Sequence, residues 1–101
     1  MVRIANRDAD MSVKRLEAFQ GSNLRGENYP MCYVVFSYEE PIYMYDRLLN
    51  IWLENTTKFS VTTSSHVSVA HPGCTTQEIN SDKMWKHFNK LKRIKRNEVE
   101  N

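Results

Sequence analysis

A run of aromatic and β-branched residues in the first half of the chain most constrains the fold. Residues 29–38 are YPMCYVVFSY, a composition typical of a β-strand. Glu39, Glu40 and Pro41 then interrupt it, because proline lacks a backbone donor and restricts the residue before it. Three further short segments, 42–45, 51–54 and 58–61, have strand-like composition and are separated only by turns. Since parallel strands need long crossovers, this close spacing predicts an antiparallel meander.

The segments on either side of this sheet are less regular. Residues 1–11 show no apolar periodicity, so we expect a flexible N-terminus, followed by a short helix over 12–19 that ends at Gly21. Residues 62–71 (TTSSHVSVAH) fit either a helix over 64–70 or a strand with alternating valines. The helix is favoured because Pro72 and Gly73 follow it. A short extended segment is expected over 75–79.

The last predicted element is an amphipathic helix over 82–96, with Ser81 as its N-cap. Met84, Phe88 and Leu91 recur at i, i+4 and i+7, so they share one face that can dock on a sheet. A small sheet needs such a helix for stability. Residues 12–97 are therefore predicted to form one α+β domain, a small antiparallel sheet of three to four strands packed against this helix, with a frayed tail at 98–101.

Charge is distributed unevenly between the body and this helix. Residues 83–101 carry seven Lys/Arg and two acids, giving +5, whereas residues 1–82 carry seven Lys/Arg and ten acids, giving −3. Helical spacing places Lys83, Lys86, Lys90 and Arg93 opposite the apolar face. The cations of the segment are Lys83, Lys86, Lys90, Lys92, Arg93, Lys95 and Arg96. A clustered cationic surface of this kind predicts an anionic or acidic partner.

Residue types that carry catalysis or bind metals are present but poorly arranged in the sequence. His66, His71 and Cys74 have a spacing that matches no standard zinc pattern, and Cys32 or His87 would have to supply a distant fourth ligand. A Cys74 nucleophile would need a positioned histidine, which proximity in sequence does not establish. The acids at strand ends, Glu39, Glu40, Asp46 and Glu54, are expected to be solvated. We therefore predict no catalytic residue, no metal and no cofactor.

Cellular location and redox state can be predicted only coarsely. The longest uncharged run, 59–77, consists mostly of small and polar residues, so no membrane-spanning helix is expected. The first 15 residues lack the apolar segment of a secretory signal, which favours the cytoplasm and two reduced cysteines. Membrane-surface binding is disfavoured because the apolar residues of the last helix are needed in the core.

The predicted sheet is unusually rich in aromatic residues. A core on one face only could not cover all of them, so Tyr38, Tyr43, Tyr45 and Trp52 form a candidate aromatic surface. Exposed aromatics on a sheet can stack on nucleic-acid bases or anchor a protein interface. A homodimer that pairs these faces is the structural alternative.

Three blocks of the sequence resemble a known family. FQGSNLRGE (19–27), YVVFSYEEPIYMYD (33–46) and KFSVTTSSH (58–66) resemble small uncharacterised proteins from phages and other mobile elements, with a "YVVYSYGTPIA" strand pair and a "KYSVTTSKH" segment. The chain departs from that pattern at Glu39 and Glu40, which replace Gly-Thr. The resemblance implies a phage or mobile-element origin and assigns no functional residues.

Together these features predict a non-enzymatic phage or mobile-element accessory protein that acts in the host cytoplasm. It would bind a host protein or protein–nucleic-acid complex, for example as an anti-CRISPR-like inhibitor of a host nuclease or defence complex. The alternative is a module that binds DNA or RNA directly through the basic helix.

Overall fold

The computed structural model describes residues 2–57 and 60–94, which form a seven-stranded mixed sheet with helices on both faces. The strands are β1 Val2–Arg3, β2 Phe19–Gln20, β3 Leu24–Asn28, β4 Cys32–Ser37, β5 Glu40–Asp46, β6 Ile51–Asn55 and β7 Thr76–Ile79. The helices are a 3₁₀ helix at Asn6–Asp8, α1 Ala9–Lys14, α2 Val61–Val69 and α3 Ser81–Lys92. The protein is α+β, but the prediction of a small, antiparallel sheet of three to four strands is wrong.

The strands lie in the sheet in the order in which they occur in the chain. Strands β2 to β6 form an antiparallel meander, of which only β4 to β6 were predicted. In contrast, β1 pairs with β2 in parallel and β7 pairs with β6 in parallel. Each parallel pair needs a crossover, and α1 and α2 lie within those two connections. Two of the missed strands, β1 and β2, have only two residues each, too few for a recognisable pattern.

The direction of the strands explains which face each helix covers. Four antiparallel pairings separate β2 from β6, so β2 and β6 run in the same direction, and β1, which is parallel to β2, runs in that direction too. The connections β1–β2 and β6–β7 both lead to the next strand in the same direction across the sheet. Crossovers between parallel strands are almost always right-handed, which places α1 and α2 on one face. The helix α3 packs on the other face. Both faces of the sheet are therefore covered, and all six residues of β4 are buried.

Two apolar clusters result, one on each face. The first, under α1 and α2, contains Ala9, Val13, Phe19, Leu24, Tyr33, Val35, Ile42, Tyr43, Trp52 and Ala70. The second, under α3, contains Met31, Cys32, Val34, Phe36, Met44, Leu53, Met84, Phe88 and Leu91. Alternation along β4 divides its residues between them, since Tyr33 and Val35 face the first cluster while Val34 and Phe36 face the second. The core is two-sided rather than one-sided.

Pro41 lies inside β5, although it was expected to end a strand. The register shifts beside it, since Val35 pairs with Tyr43 while Phe36 pairs with Pro41, and Ile42 is left as the extra residue of a bulge. A bulge tolerates proline because the ladder hydrogen bond there is already interrupted. The tight turn falls instead at Tyr38, whose φ is +55°.

Several element boundaries differ from the sequence prediction. Residues 2–11, expected to be flexible, contain β1, the 3₁₀ helix and the start of α1. The helix expected over 12–19 ends at Lys14, and Phe19 begins β2. The strand expected over 58–61 is not found at Val61, which begins α2, and Lys58 and Phe59 lie outside the described residues.

The two C-terminal helices follow the prediction more closely. A helix rather than a strand forms over 61–69, with Ser60 Oγ accepting from the Thr63 backbone N–H at 3.2 Å. Asn80, and not the predicted Ser81, caps α3, since its side-chain oxygen accepts from the Lys83 N–H at 2.9 Å. The predicted helix end at 96 and the frayed tail at 98–101 lie outside the described residues.

Candidate functional site

The outer side of α3 carries a cluster of exposed cations. These side chains are Lys83, Lys86, Lys90, Lys92 and Arg93, hereafter the cationic face. Lys95 and Arg96, also predicted to contribute, lie outside the described residues. The sequence therefore predicted the exposure of every member that the structure describes.

The position of the cationic face follows from the way α3 docks. Met84, Phe88 and Leu91 are buried in the second cluster, as their spacing predicted. Since successive helical residues are rotated by about 100°, Lys83, Lys86, Lys90 and Arg93 lie on the opposite side. Lys92 lies to one side of this row, with its ammonium group 5.1 Å from the centre of the Phe88 ring.

The members of the cationic face are not engaged in ion pairs within the described part of the chain. No carboxylate within residues 2–57 and 60–94 forms an ion pair with any of its five members. Other cations do have such partners, as in Lys14–Asp10 at 3.5 Å and Arg25–Glu27 at 3.6 Å. One acid, Asp82, lies in the first turn of α3, so the five exposed cations still leave this side of the helix net positive and open to an external anion.

Two polar contacts at the edges of α3 fix its rotation on the sheet. The Trp85 Nε1–H donates to Glu40 Oε2 at 3.3 Å on one side. On the other side, His87 Nε2 lies 2.7 Å from Asp46 Oδ2. Because each contact joins the helix to strand β5, a rolled helix would lose both, and the cations are held facing outwards.

Asp46 was predicted to be a solvated turn residue, but it is only 1% exposed. Its Oδ1 accepts from the backbone N–H groups of Leu48 and Leu49 at 2.8 and 3.0 Å, while its Oδ2 meets His87. The first two bonds are a local turn motif that an Asp before a turn can signal. His87 lies 41 residues after Asp46 in the sequence, so no local pattern could have predicted their contact.

The four residues of the candidate aromatic surface are not brought together. Tyr43 and Trp52 are buried in the first cluster, and Tyr45 is half-buried beside Trp52. The Tyr43 hydroxyl donates to the Val67 carbonyl at 2.7 Å, which shows that α2 covers this part of the sheet. Only Tyr38 is exposed, at 45%. A surface of several aromatic rings was expected because the sequence did not predict that α1 and α2 pack on the second face of the sheet.

The histidines and cysteines are dispersed rather than grouped. His66 is buried on α2, with Nδ1 2.6 Å from Ser37 Oγ, and burial lowers its pKa below the usual 6.5. His71 Nδ1 accepts from the Gly73 N–H at 2.9 Å. Burial raises the pKa of Cys32 to about 11, whereas Cys74 is exposed. In the described ranges, no three His, Cys, Asp or Glu side chains are placed to hold a metal ion.

No protein-family model, curated protein or solved structure matches the chain. The resemblance to phage and mobile-element proteins therefore stays a prediction. Over residues 2–57 and 60–94, no helix is long and apolar enough to cross a membrane. The cationic face of α3 is therefore the candidate functional site.

Proposed function

We propose that this protein is a non-enzymatic binding protein whose cationic face contacts an acidic surface of a partner macromolecule. The observation that carries the proposal is the set of five exposed cations with which no carboxylate of the described residues forms an ion pair. They stand on a helix whose other side is fully docked, so binding requires no rearrangement of the core.

Electrostatics gives such a surface a defined role in binding. A row of like charges accelerates encounter with an oppositely charged patch and raises specificity more than raw affinity. This behaviour suits a protein that must occupy a functional surface of its target quickly. A phage or mobile-element protein that inhibits a host nuclease or defence complex in the host cytoplasm would have this requirement, and we propose that role on the strength of the sequence resemblance.

The environment of the most enzyme-like pair supports a non-enzymatic role. Ser37 and His66 are within hydrogen-bond distance, as a serine nucleophile and its base would be. Ser37 is completely buried, however, and Thr63 also contacts it at 3.2 Å. A substrate could not reach this hydroxyl without unfolding α2 from the sheet, so the pair is better explained as a buried polar link between α2 and β4.

Direct binding of DNA or RNA is the second candidate, and the linear arrangement of the cations favours it. The row that begins at Lys83 and ends at the C-cap Arg93 spans ten helical steps, or about 15 Å along the axis of α3. A row of this length can contact several backbone phosphates on one strand. Such binding would be insensitive to base sequence, since phosphate contacts carry no sequence information.

A charge-reversal variant tests the main proposal. Lys83→Glu, Lys86→Glu and Lys90→Glu, combined, should leave the fold intact because all three side chains are exposed. The matched control is Arg3→Glu, Arg7→Glu and Arg15→Glu, which changes the net charge equally through exposed residues away from α3. Tagged wild type and both variants would be used to capture partners from a bacterial lysate at low and high salt.

We expect the wild type and the control to capture the same partners, and the α3 variant to capture none of them. Added salt should release these partners from the wild type. Fluorescence anisotropy with a 20-base-pair DNA duplex and a 20-nucleotide RNA distinguishes the second candidate, for which affinity should fall steeply with salt. If the α3 variant captured the same macromolecules as the wild type, the proposal would be wrong.

A further inference from the structure

The turn between β5 and β6 exposes two adjacent leucines. Leu48 is 39% exposed and Leu49 is 62% exposed, within a turn at 47–50 where polar residues are usual. The turn is held in place by the Asp46 carboxylate, which accepts from both leucine N–H groups. The Tyr45 hydroxyl also donates to Asn50 Oδ1 at 3.1 Å. The two apolar side chains are therefore presented on an ordered backbone.

This turn is joined directly to α3. The carboxylate that holds the leucine backbone through Oδ1 contacts His87 Nε2 through Oδ2 at 2.7 Å. On the helix, His87 is four residues after Lys83 and three before Lys90, and residues at these spacings are surface neighbours. One buried carboxylate thus connects the backbone of the leucine turn to a helix residue that lies between Lys83 and Lys90.

We infer that the Leu48–Leu49 turn and the cationic face form one binding surface for an acidic amphipathic segment of a partner protein. This inference depends on the proposed function and names the class of partner. Charge complementarity supplies the first argument, since carboxylates of the segment would meet Lys83 and Lys90. Its apolar side chains would cover Leu48 and Leu49, because protein interfaces combine an apolar centre with a polar, charged rim.

The same features disfavour the other polyanions. Leucine side chains gain nothing from phosphate groups, so nucleic acid would leave Leu48 and Leu49 in water. An anionic membrane would need apolar side chains along the outer side of α3, but Met84, Phe88 and Leu91 face the sheet. An acidic protein segment with apolar side chains is the one partner that uses both the turn and the helix.

The test is a selection of 16-residue peptides from a random display library on the immobilised full-length protein, followed by affinity measurements. The variants are Leu48→Ser with Leu49→Ser, and Lys83→Glu with Lys90→Glu. The matched control is Val61→Ser, which removes an apolar side chain that is 88% exposed on α2, across the sheet from α3. Thermal unfolding verifies that each variant is folded. Binding of a 20-base-pair DNA duplex and of phosphatidylserine vesicles is measured in parallel.

We expect the enriched peptides to combine Asp/Glu with apolar residues. Their affinity should fall at least about tenfold in the leucine variant and in the lysine variant, and stay unchanged in the Val61 control. If peptide affinity fell in the lysine variant alone, this inference would be wrong but the proposed function would stand. If peptide affinity fell in neither variant, or if no peptides were enriched, the inference would also be wrong. Leucine-dependent binding of the DNA or the vesicles, with no peptide bound, would overturn the assigned partner class.

Discussion

The two faces of the sheet are covered in physically different ways. Under α1 and α2, aromatic residues and polar links are combined, since the Tyr33 hydroxyl donates to the Glu17 carbonyl at 2.8 Å and Ser37 lies 2.6 Å from His66. Under α3, the contacts are apolar, with Phe88 packed edge-to-face against Phe36 and Tyr29 at ring-centre distances of 5.9 and 5.1 Å. Polar contacts of α3 are confined to its margins.

This difference bears on the roles of the two helical layers. Directional hydrogen bonds fix α2 in one register, and no buried side-chain N or O atom of the described residues lacks a partner. Apolar packing is non-directional, so the buried residues Met84, Phe88 and Leu91 stabilise α3 without fixing its orientation. The polar contacts of Trp85 and His87 fix that orientation. Because α3 uses only one side for docking, its other side is free to carry charge. The α3 layer therefore combines apolar docking on one side with exposed cations on the other.

The largest expected effect tests the apolar side of this comparison. Phe88→Ala should lower the free energy of unfolding by about 3–5 kcal/mol, because it removes the ring at the centre of the second cluster and leaves a cavity. Urea denaturation followed by circular dichroism measures the change. Lys86→Ala on the exposed side of α3 is the control and should change stability by less than about 0.5 kcal/mol. Similar effects for both variants would mean that α3 is not docked as described.

The same contrast explains how much of the fold the sequence could predict. The stripe Met84, Phe88, Leu91 has the helical period, so the existence, buried face and cationic face of α3 were predictable. The strands β4 to β6 were likewise predictable from aromatic and β-branched residues. In these elements, local composition and tertiary packing agree.

The packing of the other layer was not predictable, for the opposite reason, although the helix α2 itself was predicted. Strand β3 has the sequence LRGEN, which shows no strand-like alternation of apolar residues, and its Gly26 is buried under Phe19 and Tyr33. Helix α2 has the sequence VTTSSHVSV, and its buried positions include Thr63 and His66, which polarity alone assigns to the surface. Their burial is stabilised by Ser37, 26 and 29 residues away in sequence. Because α1 and α2 cover this face of the sheet, Tyr43 and Trp52 are buried, and the predicted aromatic surface is wrong.

An intermediate effect is expected from breaking the polar link under α2. Ser37→Ala should lower the free energy of unfolding by about 1–3 kcal/mol, because His66 Nδ1 would then be buried without its partner. Chemical denaturation measures it, with Ser65→Ala as a control at an exposed position of the same helix. If the two serine variants had equal stability, water or another group would have to satisfy His66, and the contrast between the two faces would disappear.

The smallest expected effect is a dependence of stability on pH that comes from the α2 layer. Burial lowers the pKa of His66 below 6.5, so the imidazole is neutral in the folded protein and takes up a proton more readily when the chain unfolds. The stabilising contribution is complete above the unfolded pKa and is lost as pH falls below about 6.5, by at most about 1.4 kcal/mol per pH unit. Denaturation at pH 7.5 and 5.5 should show a smaller loss for His66→Asn than for the wild type, since the comparison cancels the other titrating groups. An equal loss in both proteins would place the acid sensitivity outside α2 and contradict this prediction.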